Sequence, residues 1–364
     1  MGSLLVISPG FVIALGCLAA VAWASGGWLR HRRAAHRRAW RVVLVVLATV
    51  LTLLTGADAV NAYYGYLPRL DDVLGVQTWP TAPYAQVTSA STTPTGEHRR
   101  GAVVVMPLPG RVSGFGLHEG LVYLPPQYFT DSSARFPVVY LLHGSPGAPV
   151  DWFRANRAAD VAARLAGEGR PVILVAPLMS RGWLDDSECV DRPTEHVETY
   201  LVNDVIPAVD AALRTVPRRD DRILVGNSAG GFCALNIGLR HRSLFGTLVV
   251  LSGFARPTHD GGMAGLFGHR PDLPALAAAN DPSRYAATLS PSPAMRVWFD
   301  CGRGDTESLR DELALAPVLR RKGFTVVVRQ RPGGHDYGVW RPALRDGLGW
   351  AVVAPAASSA VATT

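Results

Sequence analysis

The chain has 364 residues, of which 48% are hydrophobic and 18% charged, and its formal net charge is +7. The first 62 residues hold six arginines and one aspartate, so the rest of the chain is nearly balanced in charge. The sequence shows no basic stripe and no GxGxxG or GxxxxGK[ST] element, which argues against nucleic-acid and nucleotide binding.

The N-terminal residues predict a membrane anchor with two transmembrane helices. Residues 11–29 carry no charge, residues 42–60 carry only Asp58, and each stretch is long enough to span a bilayer. Residues 30–41 between them contain six arginines and no acid. The positive-inside rule therefore places this loop in the cytoplasm, and the N-terminus and the residues after Val60 outside it. A cleaved signal peptide is the competing interpretation, because Ala22-Trp23-Ala24 imitates a cleavage site, but no positively charged region precedes it.

Four regions are predicted in chain order. Residues 1–62 form the anchor, residues 63–100 a connector and linker, residues 101–352 a catalytic domain, and residues 353–364 a disordered tail. The linker prediction rests on residues 80–97, which are rich in Thr, Ser and Pro and poor in hydrophobic side chains. The catalytic domain is therefore expected to be extracytoplasmic and tethered to the cell membrane.

The pattern of the outer domain predicts an α/β fold, with a mostly parallel sheet flanked by helices. Short apolar runs read as strands and amphipathic stretches as helices; the predicted strands are 103–106, 121–124, 136–142, 172–176, 248–251, 294–299 and 324–331, and the predicted helices include 199–213 and 309–321. Two loops are expected to define substrate choice. They are residues 179–192, whose acids resemble calcium ligands only loosely, and residues 254–293.

The long connector at 254–293 carries Met263, Leu266 and Phe267. These side chains either line an acyl pocket or form the core of an inserted helix.

The segment Gly226-Asn227-Ser228-Ala229-Gly230 follows an apolar run and precedes small, helix-compatible residues. This is the pattern of a nucleophile elbow, in which a tight strand-to-helix turn exposes a serine hydroxyl to a base and to oxyanion donors. The competing interpretation is a glycine-rich turn with a capping serine. The residues that follow in the chain favour the elbow.

A nucleophilic serine needs an imidazole base and a carboxylate that orients it, and in this class of fold they follow the serine in the order acid, then histidine. Of the ten histidines only His335 lies beyond the acidic loop that ends the strand near residue 299. Asp305 is the predicted acid, with Glu307 as the alternative, whereas Asp300 is expected to brace the loop.

An oxyanion hole completes the predicted site. Ala229 supplies the amide after the nucleophile, and the loop after strand 136–142 supplies the second. Pro146 has no N–H, so that donor is Ser145 or, as a weaker alternative, Gly144. His143 precedes the serine and is predicted to be a structural hydrogen-bonding residue.

Four cysteines remain. Cys17 lies in the first apolar stretch, and Cys189, Cys233 and Cys301 fall in a compartment where disulfides persist. Three cannot all pair, and their spacing fits no zinc site, so no metal and no cofactor are predicted.

With these residues placed, the chain from about 101 to 350 resembles the esterase D family of α/β-hydrolases, which includes the antigen 85 mycolyltransferases. The resemblance is carried by five motifs in order: Val122-Tyr123-Leu124-Pro125-Pro126, Val138 to Gly144, Gly226 to Gly230, Asp300 to Asp305, and Gly334-His335-Asp336. It implies an α/β-hydrolase fold with Ser228 as nucleophile, His335 as base, Asp305 or Glu307 as acid, and the amides of Ser145 and Ala229 as oxyanion donors.

These observations predict a membrane-anchored serine esterase that acts on carboxylic esters through an acyl-enzyme. Its expected partners are the membrane and an ester small molecule, of which lipid or cell-envelope esters fit the location best. Two alternatives stay open: an acyltransferase that moves acyl chains between envelope glycolipids, and a non-catalytic envelope binding protein on a hydrolase scaffold.

Overall fold

The computed structural model describes residues 9–28, 35–67, 79–85, 99–182 and 185–352. The chain divides into two compact units, an N-terminal unit and a sheet unit that begins at Trp79. Part of the basic loop, most of the predicted linker and the whole predicted tail at 353–364 lie outside the described residues.

The N-terminal unit contains two helices, α1 (Pro9–Trp28) and α2 (Ala35–Tyr64). They contact each other through a hydrogen bond from Trp23 Nε1 to Thr52 Oγ1 (3.2 Å). Within the described residues one helix, Arg38–Tyr64, is long and apolar enough to cross a membrane, with a mean hydropathy of 2.2. The described apolar part of α1, Gly10–Ser25, is shorter than such a span requires.

The described residues of the sheet unit form a nine-stranded sheet. Its strands are β1 (Thr81–Pro83), β2 (Ala102–Gly110), β3 (Gly116–Leu124), β4 (Val138–Leu142), β5 (Ile173–Ala176), β8 (Arg222–Asn227), β9 (Thr247–Leu251), β10 (Arg296–Gly302) and β11 (Thr325–Arg331), and the short pair β6 (Asp191–Arg192) and β7 (Glu195–His196) lies apart. The order across the sheet is β1-β2-β3-β5-β4-β8-β9-β10-β11. Among the described strands of this sheet, the β2–β3 and β3–β5 pairs are antiparallel and the other neighbours are parallel. The sheet is therefore mostly parallel, as predicted.

The central strands are buried on both faces. Every residue of β4, β8 and β9 is buried, which is why the middle of each strand is a short apolar run in the sequence rather than an alternating pattern. The flanking helices are α3 (Gln127–Thr130), α4 (Pro149–Arg154), α5 (Ala158–Gly167), α6 (Val197–Thr199), α7 (Ile206–Ala212), α8 (Ala229–Arg240), α9 (Gly262–Phe267), α10 (Leu273–Ala279), α11 (Pro282–Tyr285), α12 (Thr306–Arg321) and α13 (Tyr337–Ala351).

Most predicted elements differ from the observed ones by a few residues at their ends, and strands β2 and β3 extend well beyond the predicted 103–106 and 121–124. Three differences have a clear structural origin. Thr81–Pro83, within the predicted linker, pairs in parallel with β2 and so belongs to the sheet. The predicted strand at 136–142 begins instead at Val138, because Pro137 has no N–H to offer a neighbouring strand. The single helix predicted at 199–213 is interrupted by a π-helical segment, Tyr200–Val205, between α6 and α7.

The inserted segment at 254–293 folds as three short helices with a small core of its own. Leu266 and Phe267 of α9 are buried against Val190, and Met263 packs on the same cluster. Of the two possibilities stated for these side chains, the core of an inserted helix is therefore correct for Leu266 and Phe267.

A disulfide joins Cys189 to Cys233, with 5.4 Å between the two Cα atoms. Cys233 lies on α8, so the bond ties the loop after β5 to the helix that follows Ser228. Cys301, at the end of β10, is a buried free thiol.

Candidate active site

Ser228 lies between β8 and α8 in a sharp turn. Its backbone has φ 55° and ψ −125°, a left-handed conformation that costs free energy for any residue with a side chain. Two glycines make the turn possible. A Cβ on Gly226 would lie 1.7 Å from the Gly230 carbonyl oxygen, and one on Gly230 would lie 2.0 Å from that of Leu142. The Ser228 N–H donates to the Leu251 carbonyl (2.9 Å), which fixes the turn to β9.

His335 links Ser228 to Asp305. Its Nε2 lies 2.8 Å from Ser228 Oγ, and its Nδ1 lies 2.6 Å from Asp305 Oδ2. An ionised carboxylate only accepts hydrogen bonds, so Nδ1 carries the proton and the Nε2 lone pair faces the serine hydroxyl. These three residues follow the carboxyl ends of β8, β10 and β11, and because the strands from β8 to β11 are parallel, those ends lie at one edge of the sheet.

Asp305 is well suited to remain ionised beside this imidazole. Burial raises its pKa, but the hydrogen bond from His335 and the electrostatic interaction with that ring, together with the nearby Ser252 and Ser308 hydroxyls, outweigh burial and hold the pKa below its usual value. The charged form can therefore persist in a buried position.

The other two carboxyl groups of this loop have different partners. Glu307, the alternative acid, has a side chain that is 62% exposed and lies 3.9 Å from Arg310. Asp300 is fully buried and accepts two hydrogen bonds of 2.7 Å from Arg331, together with one from the Trp298 indole. Asp300 thus braces the sheet through a guanidinium.

The predicted oxyanion donors lie on two segments that approach Ser228. Ala229 is the first residue of α8, and its N–H has no acceptor within its own helix. A Cβ on Gly144 would lie 3.3 Å from the Ser228 Cβ, so the loop after β4 passes directly beside the nucleophile. Ser145, half-buried, follows Gly144 in that loop.

His143 holds this loop in place. Its Nε2 accepts the Met179 N–H (3.1 Å), so its Nδ1 carries the proton and donates to the Gly144 carbonyl (2.9 Å). Burial lowers its pKa, which keeps the ring neutral. The prediction that His143 is structural is confirmed.

Sequence reasoning missed the two rings that pack on His335. Phe254 lies with its ring centroid 6.0 Å from the imidazole, and Trp340 meets it edge to face at 4.9 Å. Both come from segments without a motif, one after β9 and one in α13. They limit the imidazole to orientations that keep both of its hydrogen bonds.

The acids of the 179–192 loop engage protein groups. Asp185 accepts two hydrogen bonds from Arg192, at 3.1 and 2.7 Å. Glu188 is 2% exposed and accepts the Thr258 N–H and hydroxyl. Burial raises the pKa of Glu188 to about 7. Glu188 thus joins this loop to the segment that follows β9.

Comparisons with known proteins agree with this architecture. The Esterase family model matches residues 118–351. An uncharacterised protein of Corynebacterium glutamicum is 28% identical over 322 residues, covering 85% of this chain and 75% of that protein. Esterase Rv1288 of Mycobacterium tuberculosis is 27% identical over 261 residues, covering 64% of this chain and 55% of that protein. A solved ferulic acid esterase is similar with a TM-score of 0.59 and 25% identity, covering 69% of this chain and 97% of the other.

The mostly parallel sheet with a serine elbow at one edge defines the α/β-hydrolase fold. Because the family model covers well over half of the sequence, the chain belongs to the Esterase family, and it is a serine ester hydrolase.

Proposed function

We propose that Ser228 is the nucleophile, His335 the general base and Asp305 the acid that orients it, in a two-step hydrolysis through an acyl-enzyme. One observation carries the proposal, the unbroken chain of hydrogen bonds from Asp305 through His335 to Ser228 Oγ. His335 Nε2 takes the hydroxyl proton as Ser228 Oγ attacks the ester carbonyl carbon. His335 then returns that proton to the departing alcohol, which leaves an ester between Ser228 and the acyl group.

The amides of Ser145 and Ala229 are proposed to hold the oxyanion that forms in each step. Ala229 directly follows Ser228, and Ser145 follows Gly144 in the loop that passes beside the nucleophile. Preorganised N–H donors stabilise the tetrahedral intermediate where its charge develops. In the second step water gives a proton to His335 Nε2 and attacks the acyl carbon. The bond from that carbon to Ser228 Oγ then breaks, and His335 returns the proton to Oγ, which releases the carboxylic acid and restores the Ser228 hydroxyl.

Ser228→Ala tests the mechanism. We expect kcat for a p-nitrophenyl ester to fall by on the order of 10⁴ to 10⁶, because the attacking oxygen is gone. Ser133→Ala is the matched control, since its hydroxyl donates to Asp131 on an exposed surface. A fluorophosphonate probe should add to the wild-type protein and to Ser133→Ala but not to Ser228→Ala. Near-normal turnover in Ser228→Ala would refute the mechanism, and failure of the probe to label the wild type would favour a binding protein instead.

The proposed location is the cell membrane, with two spans and the catalytic domain outside the cytoplasm. Support comes from the exposed apolar surface of both helices, including Ile13 (64% exposed) and Leu53 (68% exposed), and from the length of Arg38–Tyr64. The Cys189–Cys233 disulfide is a second support, because such bonds persist outside the reducing cytosol.

The topology has a direct test. After alkaline carbonate extraction the protein should remain in the membrane pellet. Protease added to intact spheroplasts should then remove the catalytic domain, while a cytoplasmic marker stays whole. Release by carbonate would exclude integral spans, and protection of the domain would reverse the orientation.

The proposed substrates are lipid or cell-envelope esters, because an anchor beside the bilayer keeps the site near them. The transferase alternative shares the acyl-enzyme and differs in the acceptor, an alcohol of an envelope glycolipid in place of water. Mass spectrometry of products formed with trehalose or a glycolipid present separates the two. Free acid alone identifies a hydrolase, and a new ester of the added alcohol identifies a transferase.

A further inference from the structure

Phe254 is a half-buried aromatic side chain in the turn after β9, and it packs on the imidazole of His335. The two ring centroids are 6.0 Å apart, and the ring planes meet at 30°. Trp340, the other ring described above on His335, is 5% exposed and meets the imidazole nearly at a right angle. Of these two rings, Phe254 is therefore the one that keeps part of its surface accessible beside the base.

The turn that carries Phe254 is held on both sides by its backbone. The Gly253 N–H donates to Glu312 Oε1 (3.3 Å). The Ala255 N–H donates to Asp311 Oδ2 (3.1 Å). Both acids are buried and belong to α12. Because the residues before and after Phe254 are fixed to one helix, the fold itself sets the position of the ring.

The same turn packs against the helix that begins after the proposed nucleophile. A Cβ on Gly231, in the first turn of α8, would lie 2.8 Å from the Gly253 Cα. A Cβ on Gly253 would lie 2.9 Å from the Gly231 carbonyl carbon. Two backbones this close leave no room for the turn to move toward α8. The turn therefore lies against both the helix that follows Ser228 and the ring of His335.

The alcohol part of a bound ester must lie on the His335 side of the proposed site. In the first step the imidazole Nε2 gives its proton to the departing alcohol oxygen, which requires a separation of about 3 Å between these two atoms. The carbonyl oxygen instead faces the proposed donors, the amides of Ser145 and Ala229. The carbon atoms bonded to the alcohol oxygen therefore lie next to the imidazole, where Phe254 has an accessible surface.

We propose that Phe254 is a specificity-determining residue, whose ring binds the alcohol part of the ester and favours alkyl or aryl alcohols of several carbon atoms over methanol. A phenyl ring has no hydrogen-bonding atoms, and it stabilises a bound group by removing apolar surface from water. The inference rests on the proposed roles of Ser228, His335 and Asp305, and it names the class of alcohol that this site accepts.

The test measures kcat/KM, which covers the steps through release of the alcohol, for two pairs of esters. Methyl butanoate and benzyl butanoate differ in the alcohol, whereas p-nitrophenyl acetate and p-nitrophenyl butanoate differ in the acyl group. In Phe254→Ala the preference for the benzyl over the methyl ester should fall about tenfold, which corresponds to about 55 Å² of apolar surface left uncovered. The preference between the two acyl groups should stay that of the wild type. A less well oriented imidazole lowers all four values alike and cancels from both ratios.

Two further variants complete the design. Phe254→Leu keeps part of the apolar surface, so its benzyl preference should fall about threefold. Phe129→Ala is the matched control, because Phe129 is also half-buried and packs on a ring, that of Tyr128. It lies after the carboxyl end of β3, which is antiparallel to β5 and so ends at the opposite edge of the sheet. Both of its ratios should equal those of the wild type. Labelling of Ser228 by a fluorophosphonate shows that a variant has folded, and if Phe254→Ala is not labelled, Phe254→Leu decides.

Two results would overturn the proposal. One is an equal loss for the methyl and benzyl esters, because the ring would then act only on the imidazole. The other is a changed acyl preference with an unchanged alcohol preference, which would place the ring on the acyl side. If Ser228→Ala abolishes turnover of all four esters while the Phe254 variants keep the wild-type ratios, only this inference fails. If Ser228→Ala stays active, the proposed mechanism fails with it.

Discussion

Removal of the Cys189–Cys233 disulfide is predicted to destabilise the sheet unit strongly. The perturbation is the double substitution Cys189→Ser/Cys233→Ser, which replaces each sulfur atom by a hydroxyl oxygen in a side chain of similar size. The bond spans 44 residues of sequence and connects the loop after β5 to α8. That loop also carries Val190, which is fully buried in the small core of α9, so its release exposes apolar surface as well.

The magnitude follows from the length of the closed loop. For a 44-residue separation the chain-entropy relation gives about 4 kcal/mol of stabilisation at 25 °C, through restriction of the unfolded chain. For a domain of this size that loss lowers the unfolding midpoint by on the order of 10 °C.

The assay is thermal unfolding of the full chain in detergent, followed by tryptophan fluorescence, with and without dithiothreitol. The reductant should lower the wild-type midpoint to that of the double variant and leave the double variant itself unchanged. Equal midpoints for the oxidised wild type and the double variant would refute the reasoning. A further drop of the double variant in dithiothreitol would show that the reductant acts elsewhere.

Two further predictions concern the carboxyl groups. Asp305→Asn should lower kcat by on the order of 10⁴, because an amide cannot hold His335 in the same tautomer. Glu307→Gln, at an exposed side chain, should leave kcat unchanged. Similar losses of kcat in both variants would contradict the assignment of Asp305 as the acid. Burial raises the pKa of Glu188 from 4.5 to about 7, so its contribution to stability is full at low pH and is lost as the pH rises through that value. In Glu188→Gln the unfolding midpoint should therefore decline less between pH 4.5 and 7 than in the wild type, and parallel curves would disprove this linkage.

Much of the fold could be predicted because its signals are local. The buried parallel strands β4, β8 and β9 each contain a short apolar run, and the elbow is a contiguous segment whose glycines are required because a Cβ on Gly226 or Gly230 would lie 1.7 or 2.0 Å from a carbonyl oxygen. The gathering of Ser228, Asp305 and His335 at one edge also followed from chain order, since each ends a strand of the same parallel sheet.

Contacts between distant segments were beyond such reasoning. The position of Phe254 carries no motif, and its contact with His335 depends on how the turn after β9 meets the loop after β11. The edge strand β1 was assigned to the linker, because three residues without apolar alternation carry no strand signal until β2 pairs with them.

The amino-acid sequence by itself determined the class of fold, the serine elbow, the order of the acid and the histidine, and the apolar character of the N-terminal helices. Each of these is determined within one segment of the chain, by the spacing of its apolar residues, by the steric need for glycine at a turn or by its amino-acid composition. The tertiary structure alone decided that Asp305 rather than Glu307 meets His335, that Cys189 pairs with Cys233, and that Leu266 and Phe267 are core residues. Those outcomes depend on distances between segments that lie tens of residues apart, and such distances exist only once the sheet and its helices have packed.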